Sequence, residues 1–363
     1  MEAQEIIQDI VFLILYGIVM GLGIAAALYL LLRRSNAIAP GVTPPLPLRR
    51  WAAAIMLENV FSHVLWLLYF WHPSDTGYIL VCTLDFVLLI PIIAGILLSM
   101  LQDRHRPIWP VAVALVPAIV LSVLSIICQD DAFLLWQGIY VIALYALLMV
   151  YIYFAVRQYG HWLRDNYSDL ENKEVWQSIL ILAVFMLFSI LYLCTSEQTK
   201  VLIYLLEFVC IFIMGLLLWR VETLQLLNES TTADVEEPTE EARKTPTATP
   251  TKMDTLLKKY CENKQLYLQN DLTLVQLANA IGTNRTYLSQ HFAQQGITYN
   301  AYINGLRIRH FVRLYQEAVA ARREITAQQL SFESGYRSYS TFSTTFKQIM
   351  GTTVAAWMHS SDK

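Results

Sequence analysis

Apolar positions fall into seven long runs within the first 220 residues. The runs cover residues 10–32, 51–71, 78–101, 108–128, 132–156, 175–195 and 201–219. Each has about the 20 residues that a helix needs to cross the hydrocarbon core of a bilayer, where every backbone polar group must be bonded within the segment. The pattern therefore predicts a bundle of seven transmembrane helices.

A different pattern of shorter helices begins after residue 251. Thr273 and Gln276 have the spacing of a capping box, and apolar residues follow them at the period of a helix. Gly282 comes where a left-handed residue usually ends a helix. A second short helix is predicted from Asn284 onward. These features together predict a helix-turn-helix unit.

The same pattern is repeated 53 residues further along the chain. The repeated residues are Thr326, Gln329, Leu330, Ser331 and Gly335. A long helix over residues 299–320 is predicted to join the two units. We therefore expect an all-α protein, in which a seven-helix transmembrane bundle is followed by a small domain with two helix-turn-helix units joined by a long helix.

Composition and charge divide the chain into three parts. The chain is 56% hydrophobic and 15% charged, whereas an ordinary soluble protein is roughly 45–50% apolar and about 25% charged. Residues 1–220 contain 11 Lys and Arg against 15 Asp and Glu, residues 221–251 contain 2 against 7, and residues 252–363 contain 13 against 7, which gives net charges of −4, −5 and +6. We predict a transmembrane domain, an acidic linker and a basic domain with these boundaries, and we exclude a single soluble enzyme.

Basic residues near the predicted spans lie in alternate loops. Nine of them follow the first, third and fifth runs: Arg33, Arg34, Arg49, Arg50, Arg104, Arg106, Arg157, Arg164 and Lys173. The other connections and the N-terminal segment contain only Lys200. Since Lys and Arg near spans remain on the cytoplasmic side, we expect an outside N-terminus and a cytoplasmic basic domain in the inner membrane of a bacterium.

The acidic linker is polar and contains Pro238, Pro246 and Pro250. Such a segment buries too little apolar surface to offset the entropy of ordering itself. We expect a disordered tether here. The alternative is a rigid stalk, in which the last membrane helix continues through residues 223–227.

Two stretches of the basic domain carry a family resemblance. They are GITYNAYINGLRI at residues 296–308 and GYRSYSTFSTTFK at residues 335–347, followed by Gly351. With both helix-turn-helix units and the connecting helix, they resemble the C-terminal DNA-binding domain of the AraC/XylS transcription regulators. In that family the second helix of each unit enters a major groove, and one domain reads two successive grooves.

The resemblance implies two sets of base-reading side chains. The first set is Arg285, Thr286, Ser289 and Gln290. The second set is Tyr339, Ser340, Ser343 and Thr344. Arg337 and Lys347 are expected to contact phosphate, which positions the protein without reading sequence.

The basic domain departs from the family pattern at several positions. Val354 replaces the usual Pro, and Trp357 and Met358 replace an aromatic residue followed by Arg. Ser343 and Thr344 stand where the family often has Arg. Since hydroxyl groups discriminate bases less than a bidentate Arg does, the second unit is expected mainly to anchor the domain.

Three ionisable residues lie inside the predicted spans. They are His63, Asp85 and Glu207, each roughly 9–12 Å from the outer end of its span at 1.5 Å per residue. Ionisable groups are costly in a bilayer and are therefore candidates for function. We expect a ligand- or proton-sensing pocket that opens outward. The alternative is that these groups only bond neighbouring helices.

These expectations combine into a membrane-bound one-component transcription regulator that senses a signal through its transmembrane domain. We expect no catalytic residue, no metal site and no cofactor, and we interpret His291 and His310 as surface or packing residues. The expected partners are double-stranded promoter DNA, the lipid bilayer, an unknown signal ligand, RNA polymerase and a second copy of the chain. The alternative is a transmembrane receptor or transporter-like protein whose cytoplasmic helical tail binds a protein partner.

Overall fold

The computed structural model contains two compact units. It describes residues 9–33, 36–38, 43–171, 173–176, 179, 183, 200–227, 250–323 and 326–361. The first unit consists of residues 1–159 and 175–227, and the second of residues 160–174 and 228–363. Within the described residues there is no β-strand, and an isolated bridge pairs Tyr167 with Thr273.

Seven helices precede residue 228 in the described part of the chain. They are α1 (Ile10–Leu32), α2 (Leu46–Trp71), α3 (Asp75–Ser99), α4 (Trp109–Ala114), α5 (Val116–Cys128), α6 (Ala132–Asn166) and α7 (Lys200–Thr223). When α4 and α5 are taken as one span, six spans are long and apolar enough to cross a membrane. The predicted run 175–195 lies almost entirely outside the described residues.

Two elements differ from the apolar runs that predicted them. The helix α6 extends ten residues beyond the predicted end at residue 156, because helical hydrogen bonding continues through polar residues that contain no proline. The run predicted over residues 108–128 is divided at Leu115 into α4 and α5. The physical reason is Pro117, which lacks an N–H and whose ring collides with the carbonyl group four residues earlier.

The first unit packs its helices along narrow buried faces. Helix α1 packs on α2 and α7, and α2 also packs on α3. The buried residues Phe12, Tyr16 and Val19 recur every three or four positions of α1 and therefore lie on one face. The exposed faces present large apolar side chains such as Ile14 and Leu28. A helix that is apolar all round is typical of a membrane span.

The end of α7 is held by the loop that follows α1. The carboxylate of Glu222 accepts hydrogen bonds from the hydroxyl of Tyr29 and from the backbone N–H groups of Ala37 and Ile38. The helix ends at Thr223, and residues 224–227 are not helical. The alternative of a helical stalk through residues 223–227 is therefore wrong. The rest of the predicted tether, residues 228–249, lies outside the described residues.

The second unit contains the two predicted helix-turn-helix units. Its helices after residue 249 are α8 (Pro250–Leu256), a π-helical turn (Leu257–Glu262), a 3-10 turn (Leu266–Leu268), α9 (Leu274–Ile281), α10 (Arg285–Gln294), α11 (Tyr299–Ala320), α12 (Ala327–Glu333), α13 (Tyr339–Met350) and α14 (Val354–Ser361). The pairs α9–α10 and α12–α13 are joined by α11, whose limits are those predicted. The all-α fold class is confirmed.

Each helix-turn-helix unit has its own apolar core. The first core includes Leu277, Ala278, Ile281, Leu288 and Phe292. The second core includes Leu330, Tyr336, Phe342 and Phe346. Helix α11 supplies Ile303 to the first core and Phe311 to the second. Because one helix contributes to both cores, it fixes the two units relative to each other.

Candidate nucleic-acid interface

The first helix-turn-helix unit is built by local hydrogen bonds. The backbone N–H of Gln276 donates to Oγ1 of Thr273 at 3.2 Å, and the N–H of Thr273 donates to Oε1 of Gln276 at 2.9 Å. Gly282 ends α9 with a φ of +74°. Oδ1 of Asn284 then accepts the N–H of Tyr287 at 2.9 Å and begins α10. These bonds set the direction of α10, as the sequence pattern predicted.

The second unit repeats this geometry. Thr326 and Gln329 form a reciprocal capping box at 3.2 Å in both directions. Gly335 has a φ of +87°, and a Cβ placed there would lie 2.7 Å from backbone atoms of Leu268. Oγ of Ser338 accepts the N–H of Thr341 at 3.3 Å at the start of α13. The repeat in the sequence is therefore a repeat in structure.

Helix α10 presents a polar face away from the first core. Among the predicted base-reading residues on this helix, Thr286 and Gln290 are exposed, while Arg285 and Ser289 are half-buried. On α13, the predicted residues Tyr339, Ser340 and Thr344 are exposed and Ser343 is half-buried. The structure thus brings each predicted set onto one helix face.

Arg285 has a partner within the second unit. Its Nε donates a hydrogen bond to Oδ1 of Asn166 at 2.9 Å. The Asn166 side chain is almost completely buried, and its Nδ2 donates to the carbonyl of Trp162 at 2.6 Å. That bond directs Oδ1 towards the guanidinium group. Sequence reasoning did not predict this contact, because Asn166 lies 119 positions earlier.

The two residues predicted to contact phosphate are both exposed. Nη1 of Arg337 lies 3.8 Å from Oδ2 of Asp271, and the two side chains keep about half of their surface exposed. Such an exposed ion pair is weak, so it leaves the guanidinium available to a phosphate group. Lys347 is exposed in the last turns of α13.

Arg307 is a buried basic residue on the long helix α11. It is 1% exposed. Its Nε donates to the carbonyl of Tyr267 at 2.8 Å, and its Nη2 donates to the carbonyls of Gln269 at 2.7 Å and Asn270 at 3.2 Å. Burial lowers the pKa of its guanidinium group. Arg307 therefore fixes the loop before α9, and no pattern in the sequence distinguishes it from its neighbours.

His291 and His310 are both buried in the second unit, and each contacts polar neighbours. Nε2 of His291 lies 2.9 Å from a carboxylate oxygen of Asp254. Nδ1 of His310 lies 3.0 Å from Nη2 of Arg313 and 2.8 Å from the hydroxyl of Tyr267. Since an arginine can only donate, Nδ1 of His310 is an acceptor and carries no proton. Burial, followed by the nearby guanidinium of Arg313, lowers the pKa of His310.

Three of the positions that depart from the family pattern contribute to the second core. Val354 is buried in it, and Trp357 and Met358 pack against it. The ring of Trp357 lies 5.6 Å from that of Phe346. Apolar contacts of α14 therefore close the second unit although the usual Pro and Arg are absent.

The structure brings together two of the three candidate sensing residues in the first unit. Nε2 of His63 lies 3.1 Å from Oε2 of Glu207, and both side chains are buried. Asp85 is held separately, by a hydrogen bond of 2.7 Å from Nε1 of Trp66 to its Oδ2. Trp66 and His63 lie one turn apart on α2. Helix α2 therefore contacts Glu207 through His63 and Asp85 through Trp66.

The comparisons with known proteins concern the second unit. Residues 277–360 match the family model described as a helix-turn-helix domain, of the AraC type. No curated protein and no solved structure matches the chain at a significant level. The matched region runs from α9 to the end of α14 and includes both helix-turn-helix units. The C-terminal region is therefore the DNA-binding domain of a transcription regulator, and the resemblance seen in the sequence is confirmed.

Proposed function

Starting from this AraC-type DNA-binding domain, we propose that the chain is a membrane-bound one-component transcription regulator. In such a protein one polypeptide senses the signal in the membrane and binds promoter DNA. The observation that carries the proposal is that six membrane-capable helices and a double helix-turn-helix domain occur in the same chain.

The proposed domain order is a sensor domain at residues 1–220, a linker at residues 221–251 and a DNA-binding domain at residues 252–363. The orientation places the DNA-binding domain in the cytoplasm, with the N-terminus outside the inner membrane of a bacterium. Nine basic residues in alternate loops support this orientation. Residues 160–174 also support this orientation, because they pack into one unit with the DNA-binding domain. Two predicted spans lie between these residues and the domain along the chain, so both would be on the same side of the membrane.

In the proposed binding mode, α10 and α13 enter successive major grooves of the promoter. The base-contacting residues are Arg285, Thr286, Ser289 and Gln290 on α10 and Tyr339, Ser340, Ser343 and Thr344 on α13. Arg337 and Lys347 bind phosphate groups. The exposure of most of these side chains on two helix faces supports this mode. The net charge of +6 on residues 252–363 supplies the attraction to DNA.

The proposed sensing site includes His63, Asp85 and Glu207. Support comes from the buried contact between His63 and Glu207, because ionisable groups inside a span persist when they bind each other or a ligand. The proposed partners beyond DNA and lipid are a signal ligand, RNA polymerase and a second copy of the chain. Pairing of two copies would raise the effective concentration of one DNA-binding domain next to the other.

The proposal is tested with the full-length protein in lipid nanodiscs. Its affinity for a labelled duplex of about 40 base pairs and mixed sequence is measured over a series of salt concentrations, and we expect a steep linear fall of log affinity with log salt. A crosslinking map of the intact protein on the chromosome would then identify the promoters. Absence of duplex binding at every salt concentration would instead favour a receptor or transporter-like protein whose tail binds a protein partner.

A further inference from the structure

The segment at residues 166–171, where α6 ends and the following loop begins, contacts both of the helices proposed to read DNA. We infer that this segment is an intramolecular docking site that competes with DNA for the DNA-binding domain. The inference rests on the proposed function and deepens it, because it names a contact through which the membrane part controls DNA binding.

Backbone hydrogen bonds attach the segment to the start of the first helix-turn-helix unit. Tyr167 forms an antiparallel bridge with Thr273, the residue that caps α9. The backbone N–H of Ser168 donates to the carbonyl of Leu272 at 3.3 Å, and its Oγ donates to the same carbonyl at 2.7 Å. Ser168 is 3% exposed. Backbone hydrogen bonds therefore hold the segment against the start of the first helix-turn-helix unit.

The long helix α11 binds the same segment from another side. Nδ2 of Asn300 donates to the carbonyls of Tyr167 at 3.1 Å and Ser168 at 2.8 Å. Nη2 of Arg307, which also fixes the loop before α9, lies 3.4 Å from Oγ of Ser168. These contacts are mostly polar. Polar contacts are typical of interfaces that open and close, whereas permanent interfaces are more apolar.

The two ends of the segment engage the first turns of the two reading helices. Oδ1 of Asn166 accepts the hydrogen bond from Nε of Arg285 in α10. A carboxylate oxygen of Glu171 accepts a hydrogen bond of 3.0 Å from Oγ1 of Thr341 in α13. While Arg285 is bonded to Asn166, its Nε is withdrawn from a base edge. Docking therefore competes with groove insertion for this guanidinium group.

The charge of the segment fits a competitor of DNA. Residues 160–174 contain Asp165, Asp169, Glu171 and Glu174 against Arg164 and Lys173, which gives a net charge of −2. The domain that it contacts has a net charge of +6. An acidic segment against a basic domain is the charge arrangement expected of a competitor of DNA.

The connection to the membrane part is covalent and helical. Helix α6 is continuous from Ala132 to Asn166, so a displacement along this helix moves Asn166 directly. A signal that shifts α6 would withdraw the segment and release Arg285 and the first turn of α13 for DNA.

A reversible lock tests the inference in the full-length protein in nanodiscs. Bridged residues of an antiparallel pair have Cα atoms about 4.5–5.5 Å apart, which suits a disulfide, so Tyr167→Cys combined with Thr273→Cys should form one. We expect the oxidised protein to bind a mixed-sequence duplex at least about tenfold more weakly than the same sample after reduction. The single variant Thr273→Cys, oxidised in the same way, controls for the loss of the cap.

A second variant changes affinity in the opposite direction. Asn166→Ala with Glu171→Ala removes both contacts to the reading helices, and we expect about tenfold tighter duplex binding at fixed salt, the size that two hydrogen bonds can supply. Gln328→Ala with Glu333→Ala removes the same chemical groups from the exposed surface of α12 and should change affinity by no more than about twofold.

The outcomes separate the inference from the proposed function. If the disulfide forms and leaves duplex binding unchanged, or if it does not form at all, the docking inference is wrong and the proposed function stands. If the reduced protein binds no duplex, the proposed function fails and the inference fails with it.

Discussion

His63 on α2 and Glu207 on α7 face each other with Nε2 of the imidazole 3.1 Å from Oε2 of the carboxyl group. Nδ1 of the same imidazole lies 2.7 Å from the backbone carbonyl of Asn59. A carbonyl only accepts, so Nδ1 carries a proton. The other ring nitrogen, Nε2, faces the carboxyl group of Glu207, so the imidazole links α2 to α7 within the bundle.

The first prediction concerns this pair. Glu207→Gln keeps the size of the side chain and a hydrogen bond but removes the carboxyl group, and Asp85→Asn removes the carboxyl group beside Trp66. We expect both variants to reach the membrane at normal levels and to lose their response to the signal. The measurement is the set of promoters occupied in cells grown over a range of pH, osmolarity and nutrient supply.

Asp75→Asn is the matched control for Asp85→Asn, since Asp75 lies on the same helix and is exposed. Its promoter occupancy should follow that of the wild-type protein. If both Glu207→Gln and Asp85→Asn respond like the wild-type protein, these groups only bond neighbouring helices and do not sense the signal.

The second prediction separates base reading from phosphate binding. A glutamine on a reading helix makes a bidentate contact with adenine, so Gln290→Ala should weaken binding to a selected site by about 1–3 kcal/mol and relax its sequence preference. Lys347→Ala should weaken binding equally on selected and mixed duplexes, and should lower the salt slope by about one. Fluorescence titrations on both duplexes measure these effects.

Gln328→Ala provides the control for Gln290→Ala, because Gln328 is also exposed but lies on α12, outside the reading helices. It should leave both affinities unchanged. Equal losses on selected and mixed duplexes for Gln290→Ala would contradict a base-reading role for α10.

The third prediction concerns the buried arginine of α11. Arg307→Ala removes a donor from the carbonyls of Tyr267, Gln269 and Asn270, and a buried acceptor left unsatisfied costs about 1–3 kcal/mol. Arg309→Ala, two residues further on an exposed face, should cost less than about 0.5 kcal/mol. Hydrogen–deuterium exchange of peptides from α11 measures both values, and equal protection in the two variants would contradict the structure.

The fourth prediction compares two turn glycines. Both Gly282 and Gly335 have a positive φ, so alanine at either position costs about 1 kcal/mol in backbone strain. At Gly335 the new Cβ also collides with the backbone of Leu268, which should add about 1–3 kcal/mol. Thermal unfolding of the second unit should therefore occur at a lower temperature in Gly335→Ala than in Gly282→Ala.

The fifth prediction concerns acid sensitivity. Burial and Arg313 lower the pKa of His310, so the unfolded chain binds a proton that the folded chain does not. This contribution to stability is present above the ordinary histidine pKa and is lost as the pH falls through that value towards the lowered one. His310→Gln keeps an acceptor for Arg313 but does not titrate, and should flatten the fall in unfolding temperature between about pH 8 and pH 5.

Gln328→Ala is the control for that experiment, because Gln328 is exposed on α12 and does not titrate. Its unfolding temperature should retain the acid dependence of the wild-type protein. Identical pH profiles for His310→Gln and the wild-type protein would show that another group is responsible.

The elements of the DNA-binding domain could be predicted because their signals are local. The capping box at Thr273, the left-handed glycine at Gly282 and the limits of α11 depend on residues within a few positions of each other. The long apolar runs within the described residues also form helices, although Pro117 divides one of them and α6 continues past its last apolar residue.

The amino-acid sequence alone determined the membrane-like spans, the two helix-turn-helix units and the polar faces of α10 and α13, because hydrophobic period, capping and charge act over short distances. Tertiary structure decided that Arg307 is buried while Arg309 is exposed, that His63 meets Glu207, and that Arg285 meets Asn166. Those pairings join residues up to 144 positions apart. Only the packing of whole helices brings such residues together, so no local pattern records them.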